Sequence, residues 1–562
     1  MNIPLTSELF VRISRRKTNT ESIYGNRLNV LVAVVFALVI NSGIWRIYLQ
    51  NNEITSFSNV VQMLSFFLFL FFIILALFSI FNFPVIQKTF LSLVILISVP
   101  AMYFILCHGV QYDQTMLHNI LETDFNETIE LLTMSFIIVF VLLAVFPILT
   151  IINAKVCYRK FLKQLMGNIS SFLIFVVLAL LSIYSHYAQL SSFVRNNNIQ
   201  LSNSLLPIAP VRALYKNLVA VKSEMNIEKN ILDPNAKTAA FSAVEDRKPF
   251  VLVVVVGETA REKSFSLKDV GMTGQRENLI GRQNTLYFDN FWSCGTNTAL
   301  SVPCMFSLYS QKDYQRSMNR EFENVAELSK RVGYDVSWRN NNSGCKGICN
   351  QLTRNPISKQ DSKEFLHDGE YYDEVLVADL AKNIQLKKTD QILFLHQMGS
   401  HGPAYFKRVP PENKMLQPAC ESADFARCTR TEIINAYNNS VLYTKLTLNK
   451  AIDQLKSLDG DYDTMLIYLS DHGESTGENG FYLHGVPYFM APEEQTHIPA
   501  LMWISEGAVK QKGINFECVQ AKQNSRLSHD NFSHTLMAIL DIESQYLDKE
   551  LDIFDGCRNL PI

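Results

Sequence analysis

Charge is the scarcest ingredient of this 562-residue chain: Asp, Glu, Lys and Arg make up 19% of it, against about a quarter in an ordinary soluble domain. Neither sign dominates. A net charge of −2 and an isoelectric point near 6.6 exclude a nucleic-acid binder that works through a basic surface. The 23 glycines and 18 prolines are too few for a collagen-like or low-complexity chain, and ten cysteines are too sparse for a small disulfide scaffold. Hydrophobic residues nevertheless reach 48% while the mean hydropathy is only +0.07, so the apolar content must be concentrated in one region. A chain of this length also needs more than one core.

The first third holds the apolar residues. No charge occurs from Leu28 to Trp45 or from Ile54 to Gln87, and residues 66–81 are nearly all Phe, Leu and Ile. Residues 89–112, 131–154 and a stretch of 165–194 are similar. Each can supply the roughly 20 apolar residues that cross about 30 Å of hydrocarbon. Buried helices of a soluble domain would be the alternative, but soluble cores rarely need five uncharged runs, so five membrane spans are expected. Basic residues gather in the N-terminal tail (Arg12, Arg15, Arg16, Lys17, Arg27) and between the fourth and fifth runs (Lys155, Arg159, Lys160, Lys163). Acidic ones mark the opposite connections, with Glu53 after the first run and Asp113, Glu122, Asp124, Glu127 and Glu130 after the third. With basic ends in the cytoplasm, an odd number of spans delivers everything beyond about Val194 to the far side, in a bacterium the periplasm. The first apolar run is span-length with no small-residue cleavage site after it, so a cleavable signal is not expected.

Cysteine usage agrees. Cys107 and Cys157 lie in the apolar region; the other eight fall beyond residue 290 as Cys294/Cys304, Cys345/Cys349, Cys420/Cys428 and Cys518/Cys557. Close pairs on an oxidising side read as disulfides. A zinc knuckle at Cys345 and Cys349 is the rival reading, weakened by the lack of a second knuckle of matching spacing.

The organisation expected is a five-helix transmembrane domain over residues 1–194, an amphipathic linker over 195–245, and a globular domain over 246–562. In the last, residues 250–256 form a continuous apolar, mostly β-branched run ending at Gly257-Glu258-Thr259, which reads as a buried parallel strand. Further strands are expected at 391–395, 464–469 and 497–504, with helical patterns at 325–332, 370–385 and 430–458. That alternation implies an α/β domain with a mostly parallel sheet. Ligands of such sheets gather beyond the carboxyl ends of the strands. Three strands deliver Glu258, His396 with His401, and Asp471 with His472 to that edge. Glu, Asp and His are zinc ligands, and His484 adds another imidazole.

Five segments carry a resemblance: Gly257-Glu258-Thr259-Ala260-Arg261, Cys294-Gly295-Thr296-Asn297-Thr298, Asn342-Ser343-Gly344-Cys345-Lys346-Gly347, His396-Gln397-Met398-Gly399-Ser400-His401-Gly402-Pro403 and Ser470-Asp471-His472-Gly473-Glu474-Ser475. In these, and in its five spans, the chain resembles the lipid A phosphoethanolamine transferases, both chromosomal and mobile colistin-resistance enzymes. The resemblance implies an alkaline-phosphatase/sulfatase-like periplasmic domain on a multi-pass inner-membrane anchor. It implies Zn²⁺, one ion tightly bound and a second left open, ligated by Glu258, Thr296, Asp471 and His472. Thr296 would be the nucleophile, with Thr298 as the capping or packing competitor. The donor would be phosphatidylethanolamine, the acceptor a lipid A phosphate, and the consequence weaker binding of polymyxins and colistin. Ser343 and Lys346 would bind substrate, Lys346 by meeting a phosphate, and His401 and His484 would contact the phosphoethanolamine group or a second metal. Asn119, Thr123 and Glu127, one stripe of a helix at i, i+4, i+8, would hold the donor headgroup. His396 and His497 are expected to be structural. A monomer and no nucleic-acid partner are expected. A sulfatase would need a Cys or Ser in C/S-x-P-x-R, which is absent around Cys294. Transfer to core sugars, or phosphoglycerol transfer on the same fold, remains the alternative.

Overall fold

The computed structural model describes residues 23–559 apart from 53, 114–115, 118–119, 121–124, 225–228, 239–246, 268–277 and 358–361. The chain divides into two compact units. The first holds the residues up to Leu106 together with Phe136–Arg212; the second holds Cys107–Ser135 and everything from Ala213.

In the first unit four helices are long and apolar enough to cross a membrane: α1 (Phe57–Ile80), α2 (Ile86–His108), Met134–Asn153 and α3 (Phe161–Tyr184). Gly25–Ile40 and Ser42–Asn51 pass the same test together, bent by 49°. Counting that pair as one span gives the five expected. Asn41 makes the bend. Its amide nitrogen donates to the carbonyls of Phe36 (3.1 Å) and Leu206 (3.0 Å), and its side-chain oxygen accepts from the Leu206 N–H at 2.8 Å. A polar side chain that serves backbone groups released by a π-turn lets a helix kink in an apolar setting. The last span stops at Tyr184, and Tyr187–Asn196 is a separate helix.

In the second unit the apolar strand expected from the sequence is β1 (Phe250–Gly257), buried along its whole length. Seven more strands complete the sheet: β2 (Thr285–Trp292), β3 (Asp335–Asn340), β4 (Thr353–Arg354), β5 (Gln391–His396), β6 (Asp463–Ser470), β7 (His497–Ile504) and β8 (Leu527–Ser528). Their order is β8-β2-β7-β6-β1-β5-β3-β4. β1 pairs in parallel with β5 and β6, whereas β7 runs antiparallel to both of its neighbours. The sheet is therefore mostly parallel, with one reversed strand.

Both faces are covered, which is why β1 is apolar without alternation. Leu252, Val254 and Val256 pack on one side with Val302, Leu328 and Leu536. These come from helices over residues 298–305, 325–331 and 529–539. Val253 and Val255 face the other side, where Ile433, Tyr437 and Leu448 come from the long helix Arg430–Lys456. Each such fully buried aliphatic side chain contributes about 1.5–3 kcal/mol. The helix expected over 370–385 is instead broken into Asp373–Leu376 and Leu380–Gln385, because Asp373 turns inward to bond other backbone. Ile208–Glu224 is a helix, with Val211, Leu214, Tyr215 and Leu218 forming an exposed apolar stripe.

All four expected cysteine pairs are bonded: Cys294–Cys304, Cys345–Cys349, Cys420–Cys428 and Cys518–Cys557. The bonded Cys345 and Cys349 leave no thiolates there for a zinc knuckle.

Candidate active site

The central strands β1 and β6 end side by side, with Ser470 in register with Gly257. The next residues of each strand, Glu258 on one and Asp471 with His472 on the other, therefore meet above the sheet edge. Among the described residues, Glu258, Asp471 and His472 form a buried group whose ligand atoms lie within 4.8 Å of one another. His472 Nε2 is 3.4 Å from Glu258 Oε1 and 3.3 Å from Asp471 Oδ2. Its Nδ1 faces the Gly473 carbonyl at 2.9 Å. Because only a protonated Nδ1 can bond that carbonyl, Nε2 is the ring atom that faces the two carboxylates. Asp471 Oδ2 accepts no hydrogen bond.

Electrostatics say the same. Burial and the charge of Glu258 push the Asp471 carboxyl up to about 7. Burial alone would neutralise Glu258, but His472 holds its carboxyl well below the usual range. Burial also opposes a charged His472, yet Asp471 and Glu258 outweigh it and raise the imidazole to about 9. Two buried carboxylates around one imidazole need a positive charge between them. A divalent cation with mixed oxygen and nitrogen ligands fits that donor set.

The hydroxyl that completes the group belongs to Thr298. Its Oγ1 lies 3.1 Å from each Glu258 carboxylate oxygen and 3.4 Å from His472 Nε2. Thr298 opens the helix α4 (Thr298–Met305), where Asn297 is the N-cap and accepts from the Leu300 N–H at 3.1 Å. A hydroxyl at the first helical position sits where the helix dipole favours negative charge, worth about 0.3–1 kcal/mol. Thr296, the nucleophile expected from the sequence, is elsewhere. It is buried, and its Oγ1 donates to the Val486 carbonyl at 2.7 Å while its own carbonyl accepts from Gly485 N–H at 2.7 Å. Thr296 thus ties down the loop that carries His484, and the hydroxyl that lies beside the carboxylates is that of Thr298.

The surrounding loops are held tightly. Asn342 donates to Glu258 Oε2 and to the Gln397 carbonyl, both at 2.8 Å. Thr259, forced to φ +58°, donates its N–H to Asp471 Oδ1 at 3.0 Å. Gly399 has φ +55°, and a Cβ there would lie 2.3 Å from the Glu258 carbonyl, so only glycine allows that approach. Asp373 accepts from the N–H groups of Met398 (2.8 Å) and Gly399 (2.7 Å). His529, which the sequence did not single out, accepts from the Cys294 N–H at 3.0 Å and reaches the Ser470 carbonyl at 3.0 Å. Burial pushes that imidazole down to about 4, so it stays neutral and joins the loop before Thr298 to the end of β6. His529→Ala would leave both backbone groups without this partner, at about 1–3 kcal/mol each. The expected result is a lower melting temperature and about a ten-fold slower reaction; an unchanged melting curve would contradict this role.

Of the other expected residues, His484 lies beside His472 with ring centroids 4.5 Å apart, and His401 lies 5.4 Å from His484. His484 Nδ1 is held by Glu474 Oε2 at 2.9 Å. Burial lowers the His401 imidazole to about 3 and keeps it neutral. Lys346 Nζ donates to Ser343 Oγ at 3.0 Å, and both residues line a neighbouring cavity. His396 is fully buried against Trp338, bonded to Asn340 at 2.9 Å, and His497 stacks on Trp292. Asn119 and Thr123 fall outside the described residues. Glu127 belongs to the helix Phe125–Leu131.

Comparison with known proteins follows the same division. Residues 251–542 match the Sulfatase family, and residues 70–221 match the family described as phosphoethanolamine transferase EptA/EptB. The sheet-containing unit thus has the sulfatase and alkaline-phosphatase type of fold. The chain is 32% identical over 542 residues to phosphoethanolamine transferase EptA of Escherichia coli (strain K12), covering 94% of this chain and 96% of that protein. It is 35% identical over 468 residues to phosphatidylethanolamine transferase Mcr-1 of Escherichia coli, covering 81% and 84%. The solved integral membrane protein lipooligosaccharide phosphoethanolamine transferase A (EptA) from Neisseria meningitidis matches with a TM-score of 0.89 at 30% identity, over 96% of this chain and 100% of that one.

Proposed function

The chain belongs to the phosphoethanolamine transferase family, and from that premise we propose that it moves phosphoethanolamine from phosphatidylethanolamine to a phosphate of lipid A through a covalent adduct on Thr298. The observation that carries the reading is the Thr298 hydroxyl, set 3.1 Å from both oxygens of buried Glu258 at the start of a helix. A relative named for phosphatidylethanolamine and another named for lipooligosaccharide support the donor and the acceptor. Glu258, Asp471, His472 and Thr298 would hold one Zn²⁺. That ion, when bound, supplies Lewis acidity that lowers the hydroxyl pKa and offsets charge on the phosphoryl oxygens.

The chain's own residues do the rest. Glu258 accepts the Thr298 hydroxyl hydrogen bond and orients Oγ1. In the first step Oγ1 bonds to phosphorus, the bond from phosphorus to the glycerol oxygen breaks, and diacylglycerol leaves with a proton. In the second step an acceptor phosphate oxygen bonds to phosphorus and Thr298 Oγ1 leaves, recovering its proton. Neutral His401, with the His484 ring beside it, suits an ethanolammonium group as a hydrogen-bond acceptor, and Lys346 with Ser343 suits a phosphate oxygen. Asn119, Thr123 and Glu127 are proposed to hold the donor headgroup. A monomer is proposed as the working unit. It sits in the bacterial inner membrane with the sheet-containing unit in the periplasm. Masking lipid phosphate with an ammonium weakens attraction for polymyxins.

Mass spectrometry of lipid A from cells expressing the chain tests the reading. Phosphoethanolamine on lipid A is expected. Its appearance only on core sugars would assign the alternative acceptor, and no modification of either would contradict the reading.

A further inference from the structure

The helix Phe125–Leu131 carries Glu127, one of the residues proposed to hold the donor headgroup, and it is only seven residues long. A helix that short is not stable by itself and needs tertiary contacts to persist. Its described side chains face an unexpected way. Glu130 is buried, with 4% of its side chain exposed, while Thr128 and Ile129 are exposed, Ile129 at 51%. A helix held by the hydrophobic effect would turn isoleucine inward and glutamate outward. This one turns its carboxylate inward.

There Glu130 meets Arg408. The Arg408 guanidinium donates through Nη2 to Glu130 Oε2 at 2.9 Å and through Nε to the His401 carbonyl, also at 2.9 Å. Its Nη1 bonds Glu370, on one strand of a hairpin. Lys407 Nζ lies 3.1 Å from Glu130 Oε1. Two acids thus meet two bases, so the cluster works as a lock and not as a binding site. The Arg408 side chain is as buried as that of Glu130. Burying two charges together adds little stability over apolar packing, but a planar fork of fixed donors sets the orientation of what it grips.

The far end of the lock reaches the active site. Next to His401, Ser400 donates its N–H to the Glu258 carbonyl at 3.0 Å. Beside Glu370, the Tyr371 carbonyl accepts from Asn341 at 2.9 Å, and Asn341 also donates to Asp373, the acceptor for the Met398 and Gly399 N–H groups. One guanidinium therefore joins the helix of Glu127 to the loop of His401, and that loop rests on the backbone of Glu258.

We propose that Arg408 is a positioning residue for the donor, fixing the helix 125–131 against the His401 loop so that both meet one ethanolammonium headgroup. The inference rests on the transfer reaction proposed above and adds the part that assembles its donor site. Glu127 stands three positions before Glu130, so anchoring Glu130 anchors the backbone that bears Glu127. Groups on separate segments bind a ligand best when the ligand does not have to order them. Loss of Arg408 should therefore appear in donor binding and not in the chemical step.

Diacylglycerol release from phosphatidylethanolamine by the full-length protein in detergent tests this. Arg408→Gln and Glu130→Gln should each raise KM for phosphatidylethanolamine about ten-fold, with kcat within about three-fold of the wild type. Zinc content should not change. The double variant Glu130→Gln/Arg408→Gln should be no worse than the worse single one, because the two residues form one lock. Glu127→Gln should raise the donor KM in the wild type yet change it little once Arg408 is replaced. A lower melting temperature with an unchanged donor KM would make Arg408 a structural residue alone and overturn the proposal. Effects of Glu127→Gln and Arg408→Gln that multiply, a wild-type KM indifferent to Glu127→Gln, or zinc loss in Glu130→Gln would overturn it too. Should Arg408→Gln not fold, Glu130→Gln keeps the shape of its side chain and carries the same comparisons. A wild type that released no diacylglycerol and modified no lipid A would instead overturn the transfer reaction, and the positioning role with it.

Discussion

Thr298→Ala is expected to lower transfer by about a thousand-fold or more, the scale on which removal of a covalent nucleophile acts. Thr296→Ala, two residues away, should retain activity within about ten-fold. The difference follows from where each hydroxyl points. Thr298 Oγ1 faces both oxygens of Glu258 and His472 Nε2, while Thr296 Oγ1 is spent on the Val486 carbonyl. Losing Thr296 should cost about 1–3 kcal/mol of stability through that carbonyl and loosen the loop bearing His484. Thr298→Ser keeps a hydroxyl and should recover part of the rate. Transfer rates with melting curves for the three variants check this; equal losses in Thr296→Ala and Thr298→Ala would contradict the assignment.

The second large effect concerns the buried triad. Glu258→Gln should abolish zinc retention and slow transfer by at least about a hundred-fold. Chelation of the wild type should do likewise and be reversed by added Zn²⁺. A cation at 100 times its dissociation constant stabilises a fold by about 2.7 kcal/mol, so chelation should also lower the melting temperature. Asp471→Asn should respond to chelator far less. Without a cation Asp471 and Glu258 repel each other in a buried place, and the substitution removes that repulsion. Metal analysis and melting with and without chelator measure both points. A wild type whose melting ignores chelator would count against a resident ion.

These two sites also mark what could be read from the residues alone. β1 was legible because a strand buried on both faces cannot alternate, and Gly257-Glu258 at its end signalled a loop over the sheet edge. Asp471-His472 was legible for the same reason. Which hydroxyl of the Thr-x-Thr stretch faces Glu258 was harder to read, although Asn297 carried a signal: an N-cap residue makes Thr298 the first helical position. His529 gave no local sign, since its two partners lie 59 and 235 residues away. The break in the helix expected over 370–385 has a similar cause. Asp373 serves backbone at Met398 and Gly399, a tertiary demand that helical periodicity does not record. The edge-side strands β2 and β3 include Asp289, Asn290, Arg339 and Asn340 and so lack the unbroken apolar signature of β1.

The most direct test is to incubate the full-length protein with phosphatidylethanolamine and no acceptor, then map the adduct by peptide fragmentation. Phosphoethanolamine on Thr298, discharged when lipid A is added, is the predicted result. An adduct on Thr296, or steady transfer with no adduct on either threonine, would contradict the account.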